Sequence, residues 1–122
     1  EDRWDPEPRV HRLYPVVTPG VPPYQRMDQP LSCYFISSGH NSYLTGNQLN
    51  SDSGTSTIIT CLKKGCRVIE LDVYNRQSGF NGPVCKHGGT LTKPVAIQDC
   101  IMAIRDHAFA ASPFPVIITI EM

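Results

Sequence analysis

The sequence predicts an α/β protein with a parallel sheet and helical crossovers. Four apolar runs of strand length alternate with two helical patterns, in the approximate order β-α-β-β-α-β. Alternation of this kind is typical of parallel sheets whose faces are covered by helices. The hydrophobic fraction of 40% is enough to form a core, and 122 residues make one domain at most.

The first half of the chain contains two predicted strands with a helix between them. The apolar run at residues 34–36 predicts a buried strand, and residues 68–73 predict the second strand. Between them, one helical face carries the aliphatic side chains of Ile58, Ile59 and Leu62.

The second half predicts two further strands and a second helix. Residues 84–87 predict a third short strand, which the two following glycines end. A helix beginning near Pro94 aligns the apolar side chains of Ile97, Ile101, Ile104 and Ala108. Residues 116–120 are rich in β-branched side chains, which is typical of a buried parallel strand.

Composition excludes several classes of protein. Eleven basic and eleven acidic residues give a net charge of zero, which excludes a basic nucleic-acid footprint or a polybasic membrane patch as the main function. No run of about 18 apolar residues predicts a membrane-spanning helix. The five cysteines form no paired CxxC set, which disfavours zinc and predicts free thiols in a reducing compartment.

The amino-terminal segment differs in composition from the rest of the chain. Seven of the eleven prolines lie within residues 1–30. Because proline removes backbone donors and fixes φ, we expect residues 1–26 to be a Pro-rich linker or tail and residues 27–122 to form the domain. No initiator Met is present, so we expect the chain to be a fragment.

Polar side chains recur at the ends of the predicted strands, where the active sites of parallel α/β folds form. They are His40, Asn41, Glu70, Asp72, His87 and Glu121. Glu70 and Asp72 are two residues apart on one strand, so both carboxylates point to one face and repel unless a cation lies between them. Glu121 and the amide oxygen of Asn41 complete a set of oxygen ligands that suits Ca²⁺ or Mg²⁺ and not Zn²⁺.

Three of these six residues also have a purely structural interpretation. Glu70 could be a satisfied buried carboxylate or an exposed strand residue, and His40 could be a capping or hydrogen-bonding histidine in its Ser/Gly-rich loop. His87, which precedes two glycines, could be a turn residue. Their recurrence at successive strand ends favours a common site.

Five segments, in order, resemble the X region of eukaryotic phosphoinositide-specific phospholipase C. They are MDQPLS (27–32), YFISSGHNSYLTGNQL (34–49), GCRVIELDVY (65–74), HGGTLT (87–92) and AFAASPFPVIITIE (108–121). The resemblance covers residues 27–122, and the segment GHNSYLTGNQL is most similar to the sequences of plant-type members.

The resemblance implies a fold and a set of site residues. The fold is the N-terminal half, or X half, of a TIM-like (β/α)₈ barrel, here incomplete. The family's catalytic histidines match His40 and His87, and its Ca²⁺ ligands match Asn41, Glu70, Asp72 and Glu121. Either glutamate can act as general base when bound to the metal, and Glu70 is the one we assign to catalysis.

The resemblance also implies a reaction and its partners. The family cleaves phosphatidylinositol 4,5-bisphosphate to diacylglycerol and inositol 1,4,5-trisphosphate through a cyclic phosphodiester. The expected partners are the phosphoinositide lipid at a membrane surface and the missing Y half of the barrel. We expect a cytoplasmic protein that attaches peripherally to membranes, and a fragment that is inactive alone.

Some positions depart from the family pattern. Cys33 stands where the family commonly has His, Tyr74 where it has Trp, and Met122 where it has Asn or Asp. The basic residues that bind the inositol 4- and 5-phosphates in the family belong to later sequence, which this chain lacks.

Other functions remain open at this point. One is a catalytically silent phospholipase C-like scaffold, although the presence of His40 and His87 beside all four ligand positions argues against it. Another is a related barrel phosphodiesterase, either a metal-free bacterial-type phospholipase C or a glycerophosphodiester phosphodiesterase. Asp72 stands where the former would be expected to have Arg, and His40 lacks the HRG-like context of the latter.

Overall fold

The structure is a computed structural model that describes residues 27–49 and 51–122. The Pro-rich segment predicted at residues 1–26 lies outside the described residues. Within the described part of the chain, no helix combines the length and apolar character needed to cross a membrane.

The chain divides into two compact units, Glu1–Phe35 and Ile36–Met122. In the described part of the first unit, Leu31–Cys33 forms one turn of 3₁₀ helix. The backbone amide of Gln29 donates a 2.7 Å hydrogen bond to the hydroxyl oxygen of Tyr34. The candidate site residues all belong to the second unit.

The described part of the second unit contains five strands and two helices. In chain order they are β1 (Ser38–Gly39), α1 (Ser56–Lys63), β2 (Val68–Tyr74), β3 (Val84–Cys85), β4 (Val95–Ala96), α2 (Ile97–His107) and β5 (Ile117–Glu121). The α/β class predicted from the alternation of strands and helices is confirmed.

Strand β2 lies at the centre of the sheet. Strands β1 and β5 both pair with it in parallel. At its carboxyl end β2 also pairs with β3, in antiparallel orientation, through Val73 and Tyr74. Strand β4 in turn pairs antiparallel with β3. The sheet is therefore parallel around its centre, as predicted, with an antiparallel extension that the sequence did not predict.

Both helices cover the same face of β2. Ile58 and Leu62 of α1 and Ile104 of α2 are buried in one core with Ile69 and Leu71 of the strand. These strand residues alternate with Glu70 and Asp72, whose side chains therefore point to the opposite face. The helices thus leave the acidic face of the sheet uncovered.

Helix α2 partly follows the predicted apolar pattern. Ile104 is buried as expected, whereas Ile101 is exposed and Cys100 and Ala103 are buried in the core. The helix begins at Ile97, because the residues before it form β4 and not a first helical turn.

Arg67 joins the carboxyl ends of the two helices. Its Nη1 donates to the carbonyls of Ala108 at 2.7 Å and Phe114 at 3.0 Å, and its Nη2 to the carbonyl of Leu62 at 3.5 Å. Its Nε donates to the carbonyl of Cys66 at 2.8 Å. One guanidinium thus contacts a carbonyl at the end of each helix, and the Leu62 carbonyl also accepts from the Gly65 amide at 3.0 Å.

Three strand predictions were wrong in detail. The first strand lies at Ser38–Gly39 and not at residues 34–36, because the pairing partners on β2 lie opposite the later residues. The third strand ends at Cys85 and not at residue 87. The last strand was expected to be buried, but every residue of Ile117–Glu121 is exposed, because among the described residues β5 pairs only with β2 and its other edge is free.

Candidate active site

Three carboxylates lie on one face of the sheet. Glu70 and Asp72 alternate with buried residues of β2, so their side chains share the face that the helices do not cover. Asp72 is the pairing partner of Glu121 on β5. Because directly paired residues of neighbouring strands point to the same side, Glu121 belongs to the same face as the other two.

The loop after β1 is hydrogen-bonded to this part of β2. The backbone amide of Asn41 donates to Glu70 Oε2 at 2.8 Å, and the backbone amide of Ser42 donates to the Glu70 carbonyl at 3.1 Å. Asn41 adopts a left-handed conformation with φ 47°, which asparagine tolerates better than most residues. These contacts hold the asparagine side chain beside the acidic face.

Tyr43 links the Asn41 side chain to Asp72. Its buried hydroxyl lies 2.9 Å from Asp72 Oδ2 and 3.1 Å from Asn41 Oδ1. Burial first, and the hydrogen bond to Asp72 second, raise the pKa of the Tyr43 phenol well above its usual range. The phenol therefore remains neutral and keeps its single hydrogen for donation.

One hydroxyl hydrogen cannot serve two acceptors, and the stronger acceptor is the carboxylate. Asn41 Nδ2, moreover, is buried without a hydrogen-bond partner. Rotating the Asn41 amide by 180° resolves the competition for the Tyr43 hydrogen, because Nδ2 then donates to the Tyr43 oxygen, and it places the amide oxygen in the position that has no partner among the described residues. An unpartnered amide oxygen in the loop that contacts Glu70 is a ligand type that suits a hard divalent cation.

His40 lies next to the same carboxylate. Its Nε2 is 3.4 Å from Glu70 Oε2, with the histidine side chain 70% exposed and the glutamate side chain 15% exposed. Glu70 therefore contacts both the backbone of Asn41 and the ring of His40. An exposed imidazole at this position is accessible to a ligand from solvent.

His87 is placed by a different set of contacts. Its Nδ1 lies 2.9 Å from the backbone carbonyl of Gln48, and since a carbonyl only accepts, Nδ1 carries a hydrogen. Its backbone is held by Thr92, whose hydroxyl accepts from the His87 amide at 3.2 Å, and by Thr90, whose hydroxyl donates to the His87 carbonyl at 2.8 Å. Nε2 is thus the ring nitrogen available for proton transfer.

The structure brings some predicted residues together and leaves others apart. His40, Asn41 and Glu70 are in direct contact, and Asp72 joins them through the Tyr43 hydroxyl. Within residues 27–49 and 51–122, no three His, Cys, Asp or Glu side chains are grouped closely enough to hold a metal ion. Glu70, Asp72 and Glu121 share a face of the sheet without forming such a group, so their joint binding of a cation stays a prediction.

Sequence reasoning missed two residues that organise the site. Tyr43 lies in an irregular loop, where no periodicity marks it as buried. Gln48 acts through its backbone carbonyl, which no residue type reveals. The only available signal for Tyr43 was its position two residues after Asn41, since a buried tyrosine hydroxyl requires a polar partner.

Comparison with known proteins identifies the family. Residues 27–122 match the family described as phosphatidylinositol-specific phospholipase C, X domain. The chain is 53% identical over 109 residues to phosphoinositide phospholipase C 6 of Arabidopsis thaliana, covering 89% of this chain and 17% of that protein. It is also 53% identical over 97 residues to 1-phosphatidylinositol 4,5-bisphosphate phosphodiesterase gamma-2 of Rattus norvegicus, covering 80% of this chain and 8% of that protein.

Solved structures give the same result. The chain matches PLC21 of S. officinalis with a TM-score of 0.73 and 38% identity, covering 78% of this chain and 12% of that one. PLC21 of L. pealei matches with a TM-score of 0.72 and the same identity. These neighbours confirm the predicted fold class, the N-terminal half of a TIM-like barrel. The chain spans less than a fifth of the curated relatives above, and it belongs to the phosphatidylinositol-specific phospholipase C family as an X domain.

Proposed function

We propose that this chain is part of the catalytic domain of a Ca²⁺-dependent phosphoinositide phospholipase C. The substrate is phosphatidylinositol 4,5-bisphosphate, and the products are diacylglycerol and inositol 1,4,5-trisphosphate, formed through a cyclic phosphodiester. The observation that carries the proposal is the contact of the His40–Asn41 loop with Glu70, on residues that match the family's motif. A structural role for Glu70 alone would not require an exposed histidine beside it.

Glu70 and His87 divide the proton transfers between them. In the first step Glu70, or Glu121 in its place, accepts the proton of the inositol 2-hydroxyl as its oxygen bonds to phosphorus. The bond from phosphorus to the glycerol oxygen breaks, and His87 Nε2 donates a proton to that oxygen. In the second step His87 Nε2 accepts a proton from water as the water oxygen bonds to phosphorus, the bond from phosphorus to the inositol 2-oxygen breaks, and the glutamate returns its proton to that oxygen.

The remaining residues orient the substrate and offset charge. His40 lies beside Glu70, where its imidazole can donate a hydrogen bond to a phosphate oxygen that gains charge during the reaction. Asn41, Glu70, Asp72 and Glu121 would hold the cation. When bound, Ca²⁺ lowers the pKa of the attacking hydroxyl and offsets phosphate charge.

Completion of the barrel by a Y half is supported by the state of β5. Its edge beyond β2 is unpaired in the described residues, and Ile117, Ile118 and Ile120 are exposed. An exposed edge strand with aliphatic side chains is a surface that further strands would cover. We assign recognition of the inositol 4- and 5-phosphates to that half, and we expect this chain alone to be inactive.

Peripheral attachment to a membrane is supported by two leucines beside the His87 turn. Leu49 is 73% exposed and Leu91 is 86% exposed, and the Leu91 amide donates a 3.1 Å hydrogen bond to the Leu49 carbonyl. Since Gln48 binds the His87 ring, this apolar pair adjoins the proposed general acid. The five cysteines are all free, which fits the reducing environment of the cytoplasm.

The test compares wild-type intact protein with its His87→Ala variant on vesicles that contain phosphatidylinositol 4,5-bisphosphate. We expect Ca²⁺-dependent release of inositol phosphates by the wild type and a loss of about 10²-fold or more in the variant. His107→Ala, which removes a histidine from α2, is the matched control and should retain activity. A wild type that releases nothing at saturating Ca²⁺ would favour the silent scaffold, and full activity in chelator would favour a metal-free enzyme.

A further inference from the structure

We infer that Tyr74 is a positioning residue that fixes the proposed general acid His87 by packing against both of its neighbours in sequence, Lys86 and Gly88. The inference rests on the proposed function, because only catalysis requires the His87 imidazole to have one fixed orientation. Tyr74 itself is not a catalytic residue, since it acts through the His87 backbone.

The contact with Gly88 is so close that a side chain there would require the Tyr74 phenol to move. A Cβ atom placed on Gly88 would collide with the Tyr74 hydroxyl oxygen and lie 3.3 Å from its Cζ. The backbone of Gly88 is not in the left-handed region, unlike Gly65, Gly79 and Gly89. Glycine at this position is therefore explained by the approach of the phenol and not by backbone conformation.

Lys86 packs against the ring itself. Its Nζ lies 5.2 Å from the centroid of the Tyr74 ring, a cation–π distance. The Lys86 amide donates a 3.2 Å hydrogen bond to the Asp72 carbonyl, which extends the pairing of β3 with β2 by one residue. One aromatic side chain on β2 thus contacts the residues on both sides of His87.

Tyr74 has little reason to occupy this position for stability alone. It is 40% exposed and lies outside the buried core. It shares a strand face with Glu70 and Asp72, at the end of β2. Its ring therefore places the His87 turn relative to the acidic face, while Gln48 fixes the tautomer of the imidazole.

The experiment uses the leaving group to distinguish positioning from a general structural role. Natural lipid has an alkoxide leaving group that needs a proton, whereas an inositol phosphodiester with a nitrophenyl leaving group does not. In intact protein, we expect Tyr74→Ala to lower kcat on the lipid about tenfold, because small misplacements of a catalytic group are costly. The same variant should lose less than about threefold on the aryl substrate, with KM unchanged on both.

Equal losses on the two substrates, or no loss on the lipid, would overturn the inference. His87→Ala on the same two substrates separates this outcome from failure of the proposed function. If His87 is the general acid, that variant also retains far more activity on the aryl substrate. If it loses both equally, the proposed function fails independently of Tyr74.

A second arm tests the contact with Gly88. We expect Gly88→Ala to lower kcat on the lipid about tenfold, and Gly88→Ala combined with Tyr74→Phe to recover at least about threefold, because the colliding oxygen is gone. Gly82→Ala is the matched control, since a Cβ there meets nothing within 4 Å. Full activity of Gly88→Ala, or a double variant no better than the single one, would contradict the inference.

Discussion

Substitution of Tyr43 by phenylalanine tests how the acidic face is held. The buried hydroxyl donates to Asp72 Oδ2 at 2.9 Å and lies 3.1 Å from the Asn41 amide. Hydrogen bonds to charged groups contribute about 1.5–3 kcal/mol, so we expect Tyr43→Phe to lower the free energy of unfolding by about 2 kcal/mol. It should also raise the Ca²⁺ concentration for half-maximal activity about tenfold or more, as loss of ligand-orienting contacts does.

Two measurements on the intact protein check this prediction. Urea unfolding gives the change in stability, and Ca²⁺ titration of lipid hydrolysis gives the change in activation. Tyr34→Phe is the control, because among the described residues the Tyr34 hydroxyl accepts a hydrogen bond from the exposed Gln29 amide and donates none. A loss of stability with unchanged Ca²⁺ dependence would refute the assignment of Asn41 and Asp72 as ligands. No change in either measurement would refute the hydrogen bonding itself.

Three further predictions concern pH, the helix ends and the membrane. Burial raises the pKa of Tyr43, so its neutral phenol stabilises the fold fully below the unfolded pKa near 10. In urea titrations above about pH 10 the wild-type protein should therefore lose stability, and Tyr43→Phe should lose less. Arg67→Ala should lower stability by about 2–4 kcal/mol in the same assay, since the carbonyls of Ala108 and Phe114 lose a donor, whereas Arg105→Ala on the surface should leave stability nearly unchanged. Leu49→Asp with Leu91→Asp should weaken binding to lipid vesicles in a flotation assay without changing hydrolysis of a monomeric substrate, and unchanged vesicle binding would refute the membrane contact.

The elements predicted correctly are those defined by local periodicity. Helix α1 and strand β2 carry regular apolar patterns of their own, so their positions and buried faces follow from the sequence. Strand β1 has two residues and no apolar pattern, and it exists only because it pairs with β2. The antiparallel pairing of β3 and β4 likewise depends on contacts between distant residues. The exposure of β5 depends on what lies beyond its free edge, which its own residues do not encode.

In the candidate site, too, local sequence patterns predicted some features, whereas others depend on contacts between distant residues. Alternation on β2 was sufficient to place Glu70 and Asp72 on one face, and the structure brings His40 and Asn41 to that face as the strand-end argument requires. The orientation of the His87 imidazole depends on the backbone carbonyl of Gln48, 39 residues earlier, which sequence patterns cannot identify. The roles of all six predicted site residues, and the domain boundaries, stay predictions.

Calorimetric titration of the intact protein with Ca²⁺ measures the occupancy of the proposed site without depending on activity. Glu70, Asp72 and the Asn41 amide should together bind one ion per molecule, and the isosteric change Asp72→Asn should weaken binding about tenfold or more. A wild-type protein that takes up no Ca²⁺, or a variant that binds it with unchanged affinity, would contradict the assignment of a cation to this face of the sheet.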